Sequence, residues 1–405
     1  MERLVSLLGL FVMLAAAFAL SNNRRRMPWR LIVTGIVLQF LIGLVILQTE
    51  PGRWLFQGMG DAINKFLEFS NAGASFVFGS KLVNEKGQWG LAFFVLPTII
   101  FVSAVMSCLF YLGIMQLVVK GMAKVMVWVM DTSGSESLAA AANVFMGHTE
   151  APLVIRPYLL TMTESELLAM MTAGMATVAG GVMAAYVGFG ADGGHLLTAS
   201  VMSAPAALVI SKIMIPETGE SVTKGTVKID IPKEDSNILD AACRGAGDGL
   251  KLALNVGAML IAFVALIYMC NAALDLLPNF NDQPLTFQRI LGWALAPVAW
   301  LMGCPWEDCE KIGGLLGTKT VLNEFIAYIE LGAMKDQISP RSFTIATYAL
   351  CGFANFGSIA VQIGGVGNLV PERRRDIARL GIKSMIGGTL AAFTTACIAG
   401  VLISD

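Results

Sequence analysis

The fold is decided by the stretch Asn143-Val144-Phe145-Met146-Gly147-His148-Thr149-Glu150-Ala151-Pro152, which sets polar residues, a glycine and a proline between two apolar segments. Ionisable side chains are costly at membrane depth, so they usually face a water-filled cavity or a ligand. Gly147 and Pro152 favour a fold-back, because glycine tolerates the dihedrals of a tip and proline starts helices. The stretch therefore predicts the tip of a re-entrant hairpin. The alternative is a surface loop in which Glu150 meets bulk water.

A second stretch of the same kind lies in the other half of the chain. Thr318-Lys319-Thr320-Val321-Leu322-Asn323-Glu324-Phe325 is also flanked by apolar runs and also carries one central glutamate, Glu324. Two interrupted hydrophobic segments in corresponding halves of a membrane chain indicate a substrate site built from broken helices. We therefore expect two hairpins, over about 135–160 and 306–334, whose tips form one site.

Composition places the chain in a membrane. Of the 405 residues 56% are hydrophobic and only 14% are charged, whereas soluble domains carry about 25% charged residues. The net charge of -1 leaves no basic surplus for a nucleic acid,. The seven cysteines are scattered in apolar runs and the two histidines are far apart, so a zinc site is not expected,.

The remaining apolar runs predict eight membrane spans, at about 4–20, 31–47, 91–119, 166–187, 196–215, 250–276 and 343–366, with a last span ending near 402,. The span 343–366 should unwind at its polar sequence 352–358. Interfacial helices are expected over 53–69 and 287–302. The basic clusters at Arg24-Arg25-Arg26 and Arg373-Arg374-Arg375 mark cytoplasmic loops, so both termini are expected on the outer side,. Short loops suggest a bacterial inner membrane.

These elements form an internal repeat in which a hairpin, a broken or small-residue span and a further span occur at 135–215 and again, inverted, at 306–402. Inverted repeats are typical of secondary transporters. The chain accordingly divides into an N-terminal region (1–130), the first repeat (131–215), a connecting region with a loop, a span and an interfacial helix (216–305), and the second repeat (306–405). The predicted class is an all-α integral membrane protein with eight transmembrane helices and two re-entrant hairpins.

Three motifs resemble those of the concentrative nucleoside transporters. They are Gly147-His148-Thr149-Glu150-Ala151-Pro152, Asn323-Glu324-Phe325-Ile326-Ala327-Tyr328 and Phe353-Ala354-Asn355-Phe356-Gly357-Ser358-Ile359, and Phe76-Val77-Phe78-Gly79 extends the likeness. The resemblance implies a homotrimer in which a transport domain, holding both hairpins, moves like an elevator against a scaffold. It also implies uptake of nucleosides such as uridine or adenosine, coupled to sodium or protons, and no other cofactor.

The resemblance also implies the site residues. Gly147, His148, Thr149 and Glu150 would face the nucleobase, with Val182 as an apolar wall. Glu324, Asn355 and Ser358 would bind the ribose hydroxyls, with Phe353 packed nearby. A carboxylate beside an amide and a hydroxyl can satisfy a sugar that has lost its water, whereas burial without partners would be costly. A free base would leave that carboxylate unsatisfied.

For sodium, the resemblance points to the side chains of Asn143 and Thr177 and to the carbonyls of Met146 and Val178. Hard cations require oxygen ligands, which unwound hairpin tips supply. An alternative role for Asn143 is to satisfy a neighbouring helix end.

One residue departs from the pattern, because His148 stands where the family often carries glutamine. This leaves open the base preference and a sensitivity to protons.

The resemblance thus implies a sodium-driven nucleoside symporter and not an enzyme. Proton-driven uptake of the same substrates is the first alternative. An intramembrane enzyme with His148 and Glu150 as a general base pair is a remote one, since no nucleophile or ligand set accompanies them.

Overall fold

The computed structural model describes residues 1–84, 91–225, 235–278 and 284–403. Over these ranges the protein is all-helical, and the only β-type pairing is an isolated bridge between Ser133 and Lys224. The predicted all-α class is confirmed.

The helices before the first hairpin are α1 (Glu2–Ala19), α2 (Trp29–Gln48), α3 (Glu50–Phe78), α4 (Ser80–Asn84), α5 (Leu96–Tyr111) and α6 (Ile114–Met130). A short π-helical turn at Leu91–Val95 precedes α5. The first two predicted spans coincide with α1 and α2. The predicted interfacial segment 53–69 lies within the longer helix α3.

The predicted third span, 91–119, is wrong at its C-terminal end. The helix α5 stops at Tyr111, and α6 begins at Ile114. Gly113 between them has φ +80, in the left-handed region that ends a helix and that glycine adopts without a Cβ penalty,. The apolar run is continuous in sequence, so hydropathy could not show this break.

The first repeat contains α7 (Gly134–Asn143), α8 (Ala151–Val154), α9 (Glu164–Ala176), α10 (Gly180–Gly188) and α11 (Gly193–Met214). Capping boxes start α7 at Ser133 and α9 at Thr163,. The returning arm of the hairpin consists of short helical turns, the four-residue α8 and a 3-10 turn at Arg156–Tyr158. The predicted span 166–187 is two helices, interrupted at 177–179 within its small-residue run.

The connecting region holds α12 (Ile238–Leu274) and α13 (Phe287–Leu301). At 37 residues, α12 begins well before the predicted span 250–276. Its N-terminal part carries Arg244, Asp248 and Lys251. These charges lower the local hydropathy, so the predicted span began too late.

The second repeat contains α14 (Trp306–Val321), α15 (Glu324–Ala333), α16 (Pro340–Leu350), α17 (Phe356–Leu369) and α18 (Arg374–Leu402). The predicted interruptions at 318–325 and 352–358 are both present. Within the described residues seven helical segments are long and apolar enough to cross a membrane. The predicted span 343–366 is not among them, because it consists of the two helices α16 and α17, each too short alone.

The interruption between α16 and α17 crosses the interruption between α9 and α10. Gly352, with φ +133, lies so close to α9 that a Cβ there would be 2.6 Å from the carbonyl oxygen of Met175. A side chain is therefore excluded by both the backbone angle and the space. This close approach brings the N-terminus of α17 beside the break between α9 and α10.

A buried lysine holds the base of the first hairpin to α11. Lys212 Nζ lies 2.7 Å from Glu136 Oε2 in the capping box of α7 and 3.1 Å from Glu217 Oε2. Ser165 Oγ accepts a further hydrogen bond from Lys212 at 3.0 Å. Because a buried charge is tolerated only when it is paired and hydrogen-bonded, this cluster fixes where α7 enters the molecule.

Candidate functional site

The centre of the site is the carboxylate of Glu324, the first residue of α15. Glu324 is only 5% exposed, and each of its oxygens accepts one hydrogen bond from a side chain distant in sequence. Tyr186 OH donates to Oε1 at 2.9 Å, and Asn355 Nδ2 donates to Oε2 at 3.0 Å. A carboxylate can accept about four hydrogen bonds. Two acceptor positions therefore remain for a ligand.

Two helix N-termini converge on this carboxylate. Asn323 Oδ1 accepts from the backbone N of Ile326 at 2.9 Å and caps α15. Asn355 Oδ1 accepts from the backbone N of Ser358 at 2.8 Å and caps α17. Asparagine is a preferred N-cap, and the positive end of a helix dipole stabilises a nearby negative charge. The N-termini of α15 and α17 thus create a place where an anionic side chain can be buried.

Aromatic side chains support the carboxylate from one side. The ring of Tyr186 stacks on that of Tyr328 with centroids 4.2 Å apart, and meets the ring of Phe325 edge-on at 5.6 Å. Tyr328 OH donates to the carbonyl oxygen of Thr347 at 2.7 Å. Tyr186 is a site residue that sequence reasoning missed. The available signal was its position four residues after Val182 in α10, which places both on one helix face.

Lys319 is a second residue without a predicted role. Its side chain is 1% exposed, and Nζ donates to the carbonyl oxygen of Ala349 at 2.9 Å, in the last turn of α16. A cation there satisfies a free carbonyl at the negative end of that helix. Lys319 therefore fixes the end of α16 just before the interruption that carries Phe353 and Asn355.

The tip of the first hairpin approaches the same region through His148. Its imidazole meets the ring of Phe353 edge-on, with centroids 4.9 Å apart. The Nδ1 atom of His148 is buried and has no hydrogen-bond partner among the described residues. His148 and Phe353, predicted as base-facing and ribose-adjacent, are thus in direct contact.

Glu150 has a different environment from Glu324. Its side chain is exposed, and Oε2 accepts from the backbone N of Gly147 at 3.4 Å. Thr149 packs on α17, where a Cβ at Gly365 would lie 2.7 Å from Thr149 Cγ2. The four tip residues 147–150 therefore split, with His148 turned inward and Glu150 turned outward.

Glu150 faces a cavity of about 580 Å³. On the repeat side its walls include Met146, Thr149, Glu150, Gly180 and Val361. The opposite walls come from α5 and from the charged first turns of α12, where Arg244 donates to Asp235 at 2.6 Å and 2.7 Å. The cavity reaches the hairpin tip. Glu324 and Asn355 are not among its lining residues and are buried, at 5% and 3% exposure.

Val182 and Ser358 complete the predicted substrate residues. Both are buried, Val182 in α10 and Ser358 in the first turn of α17. The backbone N of Ser358 is used by the Asn355 cap, so its hydroxyl is the group available to a ligand. The structure gathers Tyr186, Glu324, Asn355 and Ser358 at one point, with the His148–Phe353 pair beside α17.

The predicted cation residues lie where the hairpin tip meets the break in the α9–α10 helix. Gly180 N donates to the carbonyl oxygen of Phe145 at 3.1 Å, which ties the segment of Met146 to that of Thr177 and Val178. Asn143 Nδ2 donates to the carbonyl oxygen of Ala139 at 2.8 Å, whereas Asn143 Oδ1 is buried and has no partner in the part of the chain that the structure describes. A buried, unpaired amide oxygen fits a cation ligand. Thr177 Oγ1 donates to Ala173 at 2.8 Å and keeps its lone pairs,.

Comparison with known families gives three consecutive matches. The model described as "Na+ dependent nucleoside transporter N-terminus" matches residues 8–81, "Nucleoside recognition" matches 92–193, and "Na+ dependent nucleoside transporter C-terminus" matches 195–400.

Among characterised relatives, the chain is 46% identical over 418 residues to sodium/nucleoside cotransporter 1 of Rattus norvegicus. It is 43% identical over 421 residues to solute carrier family 28 member 3 of Homo sapiens. These alignments cover 99% and 100% of the chain but 64% and 60% of the relatives. The chain therefore spans about three fifths of their length.

Among solved structures, the chain is similar to CNTnw in an inward-facing substrate-bound state, with a TM-score of 0.92 and 41% identity over 99% of this chain and 98% of that one. A CNTnw variant in an outward-facing state gives a TM-score of 0.94 at 40% identity, again over 99% and 98% of the two chains.

Proposed function

The chain belongs to the Na⁺ dependent nucleoside transporter family, and on this premise we propose that it is a symporter that imports nucleosides across the plasma (inner) membrane on a sodium gradient. The observation that carries the proposal is the buried Glu324 carboxylate, which Tyr186 and Asn355 hold between two helix N-termini. An anionic acceptor with two unused positions is suited to the neighbouring hydroxyls of a ribose.

Asn355 and Ser358 are placed so that each can donate a hydrogen bond to the sugar. Asn355 has its oxygen in the cap of α17 and one N–H on Glu324, so its second N–H is available to a sugar oxygen. Ser358 follows one turn later with a hydroxyl that can donate or accept. Glu324, Asn355 and Ser358 together offer both donors and acceptors, and a free base would leave the carboxylate unsatisfied.

For the base, we propose the His148–Phe353 pair together with Gly147, Thr149, Glu150 and Val182. The edge-on contact leaves an aromatic surface against which a planar base can lie, and Val182 supplies an apolar wall,. His148 and Glu150 contact different partners, the Phe353 ring and the Gly147 backbone. This arrangement suits recognition rather than acid–base catalysis by a histidine–glutamate pair,.

Sodium is proposed to bind Asn143, Thr177 and the carbonyls of Met146 and Val178. The hairpin tip and the interrupted helix share this region, so an ion there would hold the tip in the position where His148 contacts Phe353. An ion that fixes a binding-competent conformation raises substrate affinity by the same factor as the substrate raises that of the ion. Such reciprocity is what symport requires.

We further propose that the two repeats, 131–215 and 306–405, move together as a transport domain. The static scaffold would then include α5 and α12, which pack against each other. The cavity between α12 and the hairpin tip supports an inward-open arrangement. As the family resemblance implies, the assembly is proposed to be a homotrimer with both termini on the outer side. The mass of the assembly in detergent tests the trimer. Labelling of single cysteines introduced at each terminus, with a reagent that does not cross the membrane, tests the side on which the termini lie.

Uptake of radiolabelled uridine and adenosine into proteoliposomes tests the function. Sodium and proton gradients should be imposed separately. We expect accumulation that requires the sodium gradient and is competed by nucleosides but not by free bases. Accumulation driven by protons alone would contradict sodium coupling and favour the proton symporter. Absence of uptake under both gradients would contradict the proposal itself.

A further inference from the structure

Two amide side chains at the crossing of the broken helices have the same unusual environment. Asn143 in α7 and Gln362 in α17 are each 1% exposed. Asn143 Nδ2 donates to the carbonyl oxygen of Ala139 at 2.8 Å, and Gln362 Nε2 donates to that of Met171 at 2.9 Å. These bonds fix which way each amide faces. In both residues the amide oxygen is then buried and has no partner among the described residues.

Both amides approach the same glycine of α9. A Cβ placed on Gly174 would lie 3.0 Å from Gln362 Nε2 and 3.3 Å from Asn143 Oδ1. It would also lie 2.7 Å from Cβ of His148, which is closer than side chains allow. The missing side chain of Gly174 thus makes room for three polar residues from three separate elements. Asn143 presents its Oδ1 atom and Gln362 its Nε2 atom towards this glycine, and the unpaired Oε1 of Gln362 belongs to the same amide group. Buried polar groups are normally satisfied, so two unpaired oxygens on amides that meet at Gly174 indicate a missing positive partner.

We propose that Gln362 contributes its Oε1 atom to the oxygen shell of the sodium ion, alongside Asn143. This assignment rests on the sodium site proposed above and adds a residue to it. A hard monovalent cation is suited to neutral amide and carbonyl oxygens. The oxygens of Asn143 and Gln362 meet that requirement and lack any other donor.

The position of Gln362 gives the assignment a consequence for coupling. Gln362 stands one turn after Ser358 on α17, the helix that Asn355 caps beside Glu324. An ion that binds Gln362 would therefore hold the same helix that presents the ribose groups. Nucleoside at the first turn of α17 and sodium at the next turn would each favour the same placement of this helix,.

The test is the dependence of thermal stability on sodium in the purified full-length protein. The melting temperature is measured over a series of NaCl concentrations, with choline chloride keeping the ionic strength constant. A ligand at concentration c that binds only the folded state stabilises it by RT ln(1 + c/Kd), so the melting temperature begins to rise once the sodium concentration passes Kd, and a fit of the series gives Kd. We expect Gln362→Leu to raise this fitted sodium Kd about tenfold, the change produced by losing one favourable ligand.

Gln39 in α2 offers a matched control. It is also 1% exposed, its Nε2 donates to the Gly35 carbonyl oxygen at 3.1 Å, and its Oε1 is likewise unpaired. Gln39→Leu should alter the melting temperature without sodium but leave the fitted sodium Kd unchanged. If Gln362→Leu does not fold, Gln362→Asn retracts the oxygen by one methylene and should weaken sodium in the same direction.

A wild-type sodium response in the folded Gln362 variants would overturn the assignment of Gln362 while leaving sodium coupling intact. A wild-type protein that sodium does not stabilise at all would overturn both. A third result also contradicts the assignment, namely an unchanged sodium response with an altered purine to pyrimidine uptake ratio. In that case Gln362 would act on His148, whose Nδ1 is also unpaired.

Discussion

The side chain of Asn355 links the N-terminus of α17 to the carboxylate of Glu324. Its Oδ1 accepts from the backbone N of Ser358 at 2.8 Å, and its Nδ2 donates to Glu324 Oε2 at 3.0 Å. Helix position and carboxylate orientation are therefore set by one amide. A change in either atom of Asn355 acts on the proposed ribose site.

This dual role predicts that Asn355→Asp abolishes nucleoside uptake. Aspartate still caps a helix, but it cannot donate to Glu324 and it places two carboxylates in contact. Asn323→Asp is the matched control, since Asn323 caps α15 through its oxygen in the same way. Uptake should remain within about threefold of wild type in the control, because the two residues cap helices about equally well. Equal losses in both variants would reduce Asn355 to a helix cap.

Removing the charge of Glu324 should weaken substrate binding without preventing assembly. Hydrogen bonds to charged groups contribute about 1.5–3 kcal/mol each, so Glu324→Gln should lower uridine affinity about tenfold to a hundredfold. Uridine binding by calorimetry and gel-filtration of the variant give the two readouts. Glu330→Gln, on the same helix, controls for the loss of a carboxylate. Wild-type uridine affinity in Glu324→Gln would refute the ribose assignment.

The hydroxyl of Tyr186 should matter for transport more than for stability. Tyr186→Phe keeps the stack on Tyr328 but removes the donor to Glu324, and should raise the uridine KM about tenfold,. Tyr328→Phe removes the other hydroxyl of the stacked pair, which donates to the Thr347 carbonyl oxygen. That variant should lose about 1 kcal/mol of stability and keep its KM. The opposite pattern in the two variants would exclude Tyr186 from the site.

Asn143→Ala removes the side-chain oxygen proposed to bind sodium. It should raise the sodium concentration for half-maximal uptake about tenfold, since the ion loses one of few ligands. Thr177→Val should act in the same direction. Thr198→Val is its control, because Thr198 is equally buried and makes the same bond to the carbonyl four residues earlier. Uptake by all variants with unchanged sodium dependence would remove both residues from the cation site.

His148→Gln should shift the ratio of purine to pyrimidine nucleoside uptake. An imidazole offers a ring edge to Phe353, whereas an amide offers a donor and an acceptor on one group,. Competition between adenosine and uridine in the same vesicles measures the ratio. His195→Gln replaces a histidine whose Nδ1 contacts the hydroxyl of Tyr348 in α16, and it should leave the ratio unchanged. Identical ratios in wild type and His148→Gln would mean that His148 does not read the base.

Much of the architecture could be predicted because the physical constraint acts locally. A membrane requires long apolar runs, so polar interruptions such as 143–152, 318–325 and 352–358 stand out in the sequence. Those interruptions carry Glu324, Asn355 and His148, and the structure brings them to one region. Hydropathy failed where sequence is uniformly apolar, as at the Leu112–Gly113 break, and where a long helix starts with charged turns, as in α12.

What the sequence by itself determined is where polar interruptions break the apolar runs and which ionisable groups must be protected from lipid. Only the tertiary structure decided their partners, because Tyr186 and Glu324 are 138 residues apart and Met171 and Gln362 are 191 apart. Such pairs depend on how helices cross, and the crossing is set by close approaches such as Gly352 on α9 and by the space left at Gly174. Helix breaks follow from local dihedral preferences and the cost of burying polar groups, whereas the contacts that satisfy those groups follow from packing in three dimensions.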